Sequence, residues 1–86
     1  MGLNNQPESV SSVLKTFAIL QALSTQKDIG VSELAQKLMM SKSTVYRFLQ
    51  TMKTLGIVYQ EGDSEHYSLT LKLFEIGSAA LEYVDL

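Results

Sequence analysis

Seven consecutive residues, Ser41-Lys42-Ser43-Thr44-Val45-Tyr46-Arg47, gather three short hydroxyls, two cations and a phenol. Hydroxyls at Ser41, Ser43 and Thr44 suit phosphate oxygens or base edges, and the planar fork of Arg47 matches guanine O6 and N7. Gln50 adds an amide suited to adenine, while Lys42 and Lys53 suit phosphates, contacts that fix register without reading sequence. Between Leu34 and Gln60 lie Lys37, Lys42, Arg47 and Lys53 and no acid; the rest of the chain sets three cations against nine acids. A net charge of −2 therefore conceals a basic segment of the kind that meets a polyanion. An ordinary solvated helix face carries the same signature, so charge alone does not separate the two.

Other chemistries are poorly served. The chain has no cysteine, which removes disulfides, thiolate metal sites and a thiol nucleophile, and one histidine, His66, is too few for a zinc site. Asp63, Ser64 and His66 share one turn, too close in sequence and too open to water for an oriented triad. No glycine-rich phosphate loop or metal-ligand spacing occurs, so neither catalysis nor a cofactor is expected. No apolar stretch approaches the ~20 residues that cross a bilayer, and a cytoplasmic location is expected.

The basic segment needs a scaffold, and 86 residues allow one domain with one modest core. Residues 1–8 are polar and aperiodic and are expected to form a flexible lead-in to a domain spanning 9–86. Ser9 is placed to cap a helix over Val10 to Ser24, with Val10, Val13, Leu14, Phe17 and Leu20 as its core stripe and Ile19 and Leu23 on the other side. Ile29-Gly30-Val31 suits a very short strand. Ser32 then caps a helix from Glu33 to about Met39, with Leu34, Ala35 and Leu38 inward. Ser41 caps a third helix from Lys42 to Leu55, stopped by a left-handed Gly56; Val45, Phe48, Leu49, Met52 and Leu55 form its inner stripe. Ser43, Tyr46, Arg47, Gln50, Lys53 and Thr54 form its polar face. Ile57–Glu61 and His66–Leu69, joined by Gly62-Asp63-Ser64, predict a β-hairpin, and Thr70 caps a last helix running to the chain end. The apolar half of that helix is wide, and simple core packing accounts for about half of it.

Helix, helix, helix, hairpin, helix is the order of a winged helix-turn-helix: a mainly α fold with a three-helix core, a β-hairpin wing and a C-terminal linker helix. Val31 to Gln50 is the helix-turn-helix unit, with Ala35 where its two helices touch and the helix over 42–55 placed to enter a major groove. Met39 takes the turn position usually held by glycine, so the turn is either less strained or costs about 1 kcal/mol or more for a left-handed conformation. For Ser41 capping is the main expected role. Tyr46 is equally explained by packing on the hairpin and by DNA contact. The hairpin carries Glu61, Asp63 and Glu65, a poor match to phosphate, so its tip is expected to stay out of the groove and cover the core.

Val10-Ser11-Ser12-Val13-Leu14-Lys15, Val31-Ser32-Glu33-Leu34-Ala35, the Ser41–Leu49 run and Tyr67-Ser68-Leu69 leading into Leu73-Phe74-Glu75-Ile76-Gly77 together resemble the IclR family of bacterial transcriptional regulators. The resemblance covers Ser9 to Leu86 and implies a repressor that works as a homodimer or dimer of dimers on a pseudo-palindromic double-stranded operator. It also implies an effector-binding domain beyond the last helix. A narrower likeness over Met39 to Gly56, which also accounts for Met39, implies a repressor of pectin and hexuronate catabolism genes with 2-keto-3-deoxygluconate as effector. The residues also admit a winged helix used for protein–protein contact, favoured by the acidic hairpin and opposed by the acid-free third helix.

Overall fold

A computed structural model describes residues 9–84, so the lead-in at 1–8 and the last two positions lie outside the described residues. The elements run α1 Ser11–Thr25, β1 Ile29–Gly30, α2 Val31–Leu38, α3 Lys42–Thr54, β2 Val58–Gln60, β3 His66–Leu69 and α4 Lys72–Ser78, with a 3₁₀ turn at Ala79–Glu82. The winged helix-turn-helix order is thus present. Beyond the expected hairpin, β1 joins the sheet: the strand order is β1-β3-β2, all antiparallel, with Ile29 opposite Tyr67 and Val58 opposite Leu69.

One core joins the elements. Ile19, Leu20, Ala22 and Leu23 of α1 meet Leu34 and Ala35 of α2, Val45, Leu49 and Met52 of α3, and Ile29, Val31, Val58 and Tyr67 of the sheet region. Ala35 is 6% exposed, small enough to let α2 and α3 approach where the helix-turn-helix requires it.

The α1 stripe differs from expectation. Of the stripe only Leu20 is buried; Val10, Val13, Leu14 and Phe17 are 52–61% exposed, whereas Ile19 and Leu23, expected on the other side, are buried. Periodicity marks residues that share a face; only the rest of the fold decides which face is covered. Here the second half of α1 meets β3 and α2, and the first half runs past the packed body. Nor does Ser9 cap this helix: Val10 is the N-cap and its carbonyl accepts from Val13 and Leu14.

α2 begins at Val31 rather than Glu33, and Ser32 lies inside its first turn instead of capping it. The chain passes directly from β1 into the helix, and the Val31 N–H donates to the Glu65 carbonyl at 3.0 Å, so the residue before β3 satisfies one of the free donors at the helix start. At the other end Met39 is left-handed (φ 57°, ψ 42°) and the Met40 N–H closes back onto the Ala35 carbonyl at 3.0 Å. The Met39 side chain is 92% exposed, so nothing in its packing offsets the strain. Met39→Gly is expected to raise stability by roughly 0.5–1 kcal/mol, visible as a higher urea midpoint; an unchanged or lower midpoint would contradict a strained turn.

α3 behaves as expected at both ends. Ser41 Oγ accepts from the Thr44 N–H at 3.1 Å, and Gly56 stops the helix at φ 79°. Leu55, assigned to the inner stripe, is 58% exposed because the last turn extends beyond the core before the chain reverses.

The final segment is shorter than expected. Leu71, not Thr70, is the N-cap of α4; Thr70 instead accepts from the Lys72 N–H at 3.1 Å and donates to the Gly56 carbonyl at 2.6 Å, tying the helix start to the turn after α3. α4 ends at Ser78. Leu73 packs on the core, but Phe74, Ile76, Leu81 and Tyr83 are 59–85% exposed. A helix with so little tertiary support, and with Gly77 in its last turn, lacks the packing that sustains regular geometry.

Candidate nucleic-acid interface

α3 is pinned to the core by Val45, Leu49 and Met52 and turns Ser43, Arg47 and Thr54 outward. The serine cap holds its first turn: Ser41 Oγ also donates to Thr44 Oγ1 at 2.7 Å, leaving Ser43 exposed at the positive end of the helix dipole. Arg47 is exposed on the first turns and, among the described residues, has no ion-pair partner. It borders a small hollow with Ser12, Phe48 and Thr51.

Between α3 and the hairpin runs an open groove of about 760 Å³, lined on the helix side by Lys42, Ser43, Tyr46, Gln50 and Lys53 and on the hairpin side by Gln60, Asp63, Ser64, Glu65 and Tyr67. Three polar links cross it. Lys42 Nζ lies 3.4 Å from Glu65 Oε2, Gln50 Nε2 donates to the Tyr67 hydroxyl at 2.7 Å, and Lys53 Nζ donates to Gln60 Oε1 at 2.8 Å. Gln60 passes the link on by donating to the Ser64 carbonyl at 2.7 Å. Tyr46 is 50% exposed on the groove wall between these links.

The eight candidate residues therefore separate into groups. Ser41 and Thr44 shape the helix start; Ser43, Tyr46 and Arg47 face outward without a polar side-chain tether to the hairpin; Lys42, Gln50 and Lys53 are already engaged by it. Gln50 is half-buried, unlike the exposed base reader that its place on the polar face suggested. The hairpin partners Tyr67, Gln60 and Glu65 were missed in the sequence. Alternation along β3 is enough to place Tyr67 on the covered face, but its alignment with Gln50 comes from the packing of hairpin on helix. Burial, the largest influence, pushes the Tyr67 phenol above its ordinary value, with Tyr46 and Glu65 adding to the rise and the hydrogen bond from Gln50 opposing it.

The hairpin strands cover the core through Val58 and Tyr67, but the tip does not, contrary to expectation: Glu61, Gly62, Asp63 and Glu65 are exposed. Its acids are not remote from the basic helix, however, because Glu65 pairs with Lys42 across the groove. Any phosphate drawn to Lys42 must compete with that carboxylate. Glu65→Gln is expected to strengthen duplex binding a few-fold and to steepen the salt dependence by up to about one unit of log–log slope. Fluorescence anisotropy over a salt series checks this, and an unchanged slope would show that Lys42 meets no phosphate.

Comparison with known proteins agrees with this geometry. Residues 12–62 match the profile of the IclR helix-turn-helix domain. Over 84 residues the chain is 71% identical to the HTH-type transcriptional regulator KdgR of Escherichia coli strain K12, covering 98% of this chain and 32% of that protein. It is 70% identical, also over 84 residues, to the regulator of the same name from Dickeya chrysanthemi, covering 98% of this chain and 28% of the other. A crystal structure of an IclR transcriptional regulator from Alicyclobacillus acidocaldarius superposes with a TM-score of 0.82 at 29% identity, covering 91% of this chain and 32% of that one. The chain thus spans about a third of the length of the curated relatives it matches.

Proposed function

The chain belongs to the IclR helix-turn-helix family, and from that premise we propose that it is the DNA-binding domain of a bacterial transcriptional repressor, with α3 lying in the major groove of its operator. The observation that carries this reading is the outward, acid-free face of α3, where Ser43 and Arg47, which has no ion-pair partner among the described residues, lie in the first half of the helix. Its relatives are transcriptional regulators rather than enzymes, which supports a binding role.

The finer assignment rests on the 71% identity to KdgR. The regulated genes are those of sugar-acid catabolism, released when 2-keto-3-deoxygluconate binds a further domain that α4 leads toward. The protein acts in the cytoplasm; no helix among the described residues is long and apolar enough to cross a membrane. A single module covers only about 600–1,000 Å² of DNA, so useful affinity calls for two copies on a pseudo-palindrome, with half-site centres about 10 base pairs or a multiple apart. The exposed Val10, Val13, Leu14 and Phe17 supply apolar surface for such pairing.

Titrating duplex DNA with the chain across a salt series tests the reading. The expected log–log slope is at most about −4 per subunit if Lys37, Lys42, Arg47 and Lys53 all meet phosphates. Absence of salt-dependent duplex binding would favour the other use of a winged helix, protein–protein contact, which the acidic hairpin suits.

A further inference from the structure

Tyr67 is the largest fully buried side chain, at 1% exposure, yet it carries a hydroxyl. Buried hydroxyls are unfavourable unless hydrogen-bonded, and the partner of this one is Gln50 Nε2 at 2.7 Å. The ring belongs to the core with Ile29 and Val58, while its tip reaches the groove wall beside α3. A phenylalanine would fill the same volume without the polar obligation.

We propose that Tyr67 is a positioning residue that sets the amide of Gln50 for reading an adenine; the inference rests on the major-groove reading of α3 above. A glutamine amide has one carbonyl oxygen and two N–H donors. With one N–H given to Tyr67, the oxygen and the remaining N–H stay free, and such an adjacent pair matches adenine N6 and N7. Untethered, a glutamine side chain loses rotamer freedom on binding; here the fold has already fixed it. The strand register supports the arrangement. Tyr67 pairs with Ile29 on one side and Gln60 on the other, so β3 is the central strand and its tip cannot shift without moving the sheet. The half-burial of Gln50 thus becomes part of its placement.

The test uses the 86-residue chain, Tyr67→Phe, Gln50→Ala and the double variant in a selection from a random-sequence duplex library, with base preference scored position by position. Wild type is expected to show an adenine preference that Gln50→Ala abolishes and Tyr67→Phe reduces about three- to tenfold, a large part of what a bidentate amide contact provides. In the Gln50→Ala background Tyr67→Phe is expected to change preference no further, because the tyrosine acts through the glutamine. Thermal melts of all four proteins show that the losses are not unfolding; were Tyr67→Phe unfolded, Tyr67→His, which keeps a polar tip, must retain more of the preference than Gln50→Ala does. A Tyr67→Phe protein that keeps the full adenine preference, or lowers it equally without Gln50, overturns the proposal and leaves the reading of α3 standing. A wild-type chain that selects no sequence overturns both.

Discussion

Arg47→Ala is expected to weaken specific duplex binding by about 1–3 kcal/mol and to relax preference at one guanine, the loss associated with a bidentate base contact. Arg47 is exposed, bonded to no acid among the described residues, and carried on the first turns of a capped helix. Its removal therefore leaves no buried partner unsatisfied, and stability should change little. Lys53→Ala makes the informative contrast. Lys53 donates to Gln60 at the far end of α3, where a cation serves a phosphate, so its loss should weaken all duplexes alike and lower the salt slope by about one. Footprinting both variants at two salt concentrations separates the roles. If Arg47→Ala and Lys53→Ala lost affinity in the same sequence-independent way, Arg47 would be a phosphate clamp and no reader.

The largest effect on folding is expected from Leu49→Ala. Leu49 is fully buried in the middle of α3, against the core formed by α1, α2 and the sheet. Removing three carbons there loses their transfer free energy and leaves a cavity, together about 2–5 kcal/mol. Small domains are marginal, with about 0.05–0.15 kcal/mol of stability per residue, so this is a large share of the total. Urea denaturation should show the free energy of unfolding lowered by that amount, with DNA binding lost in parallel. By comparison Leu55, on the same helix and expected inside, is 58% exposed, and Leu55→Ala should cost far less. A similar penalty at the two positions would mean that the last turn of α3 is covered in solution.

Much of the architecture was legible because it rests on short-range rules. The Ser41 cap and the Gly56 stop each follow from a residue and its immediate neighbours, whereas the left-handed turn at Met39 was decided by the approach of α2 and α3. The hairpin follows from β-rich runs about a turn sequence. Family membership was legible for a related reason, since the Ser41–Leu49 run and its flanks carry the pattern directly.

What the sequence left open were matters settled at a distance. Periodicity grouped Val10, Val13, Leu14, Phe17 and Leu20 on one face of α1, but only Leu20 of them is covered, because β3 and α2 dock mainly on the other side and along the second half of the helix. Ser32 lies inside α2 because the helix starts at Val31, whose N–H is held by the Glu65 carbonyl, a partner 34 positions away. The basic helix showed the same division: helical spacing placed Gln50 and Lys53 on one polar face and charge marked Lys42, but only the hairpin's seat on α3 gave each of them a partner. The amino-acid order alone determined the ends of α3, the hairpin turn and the charge of α3, because the Ser41 cap, the Gly56 stop and charge are local. Which apolar face is buried, and which polar groups are held before any ligand arrives, was decided by the tertiary structure, because burial and hydrogen bonding require a partner that chain folding brings near.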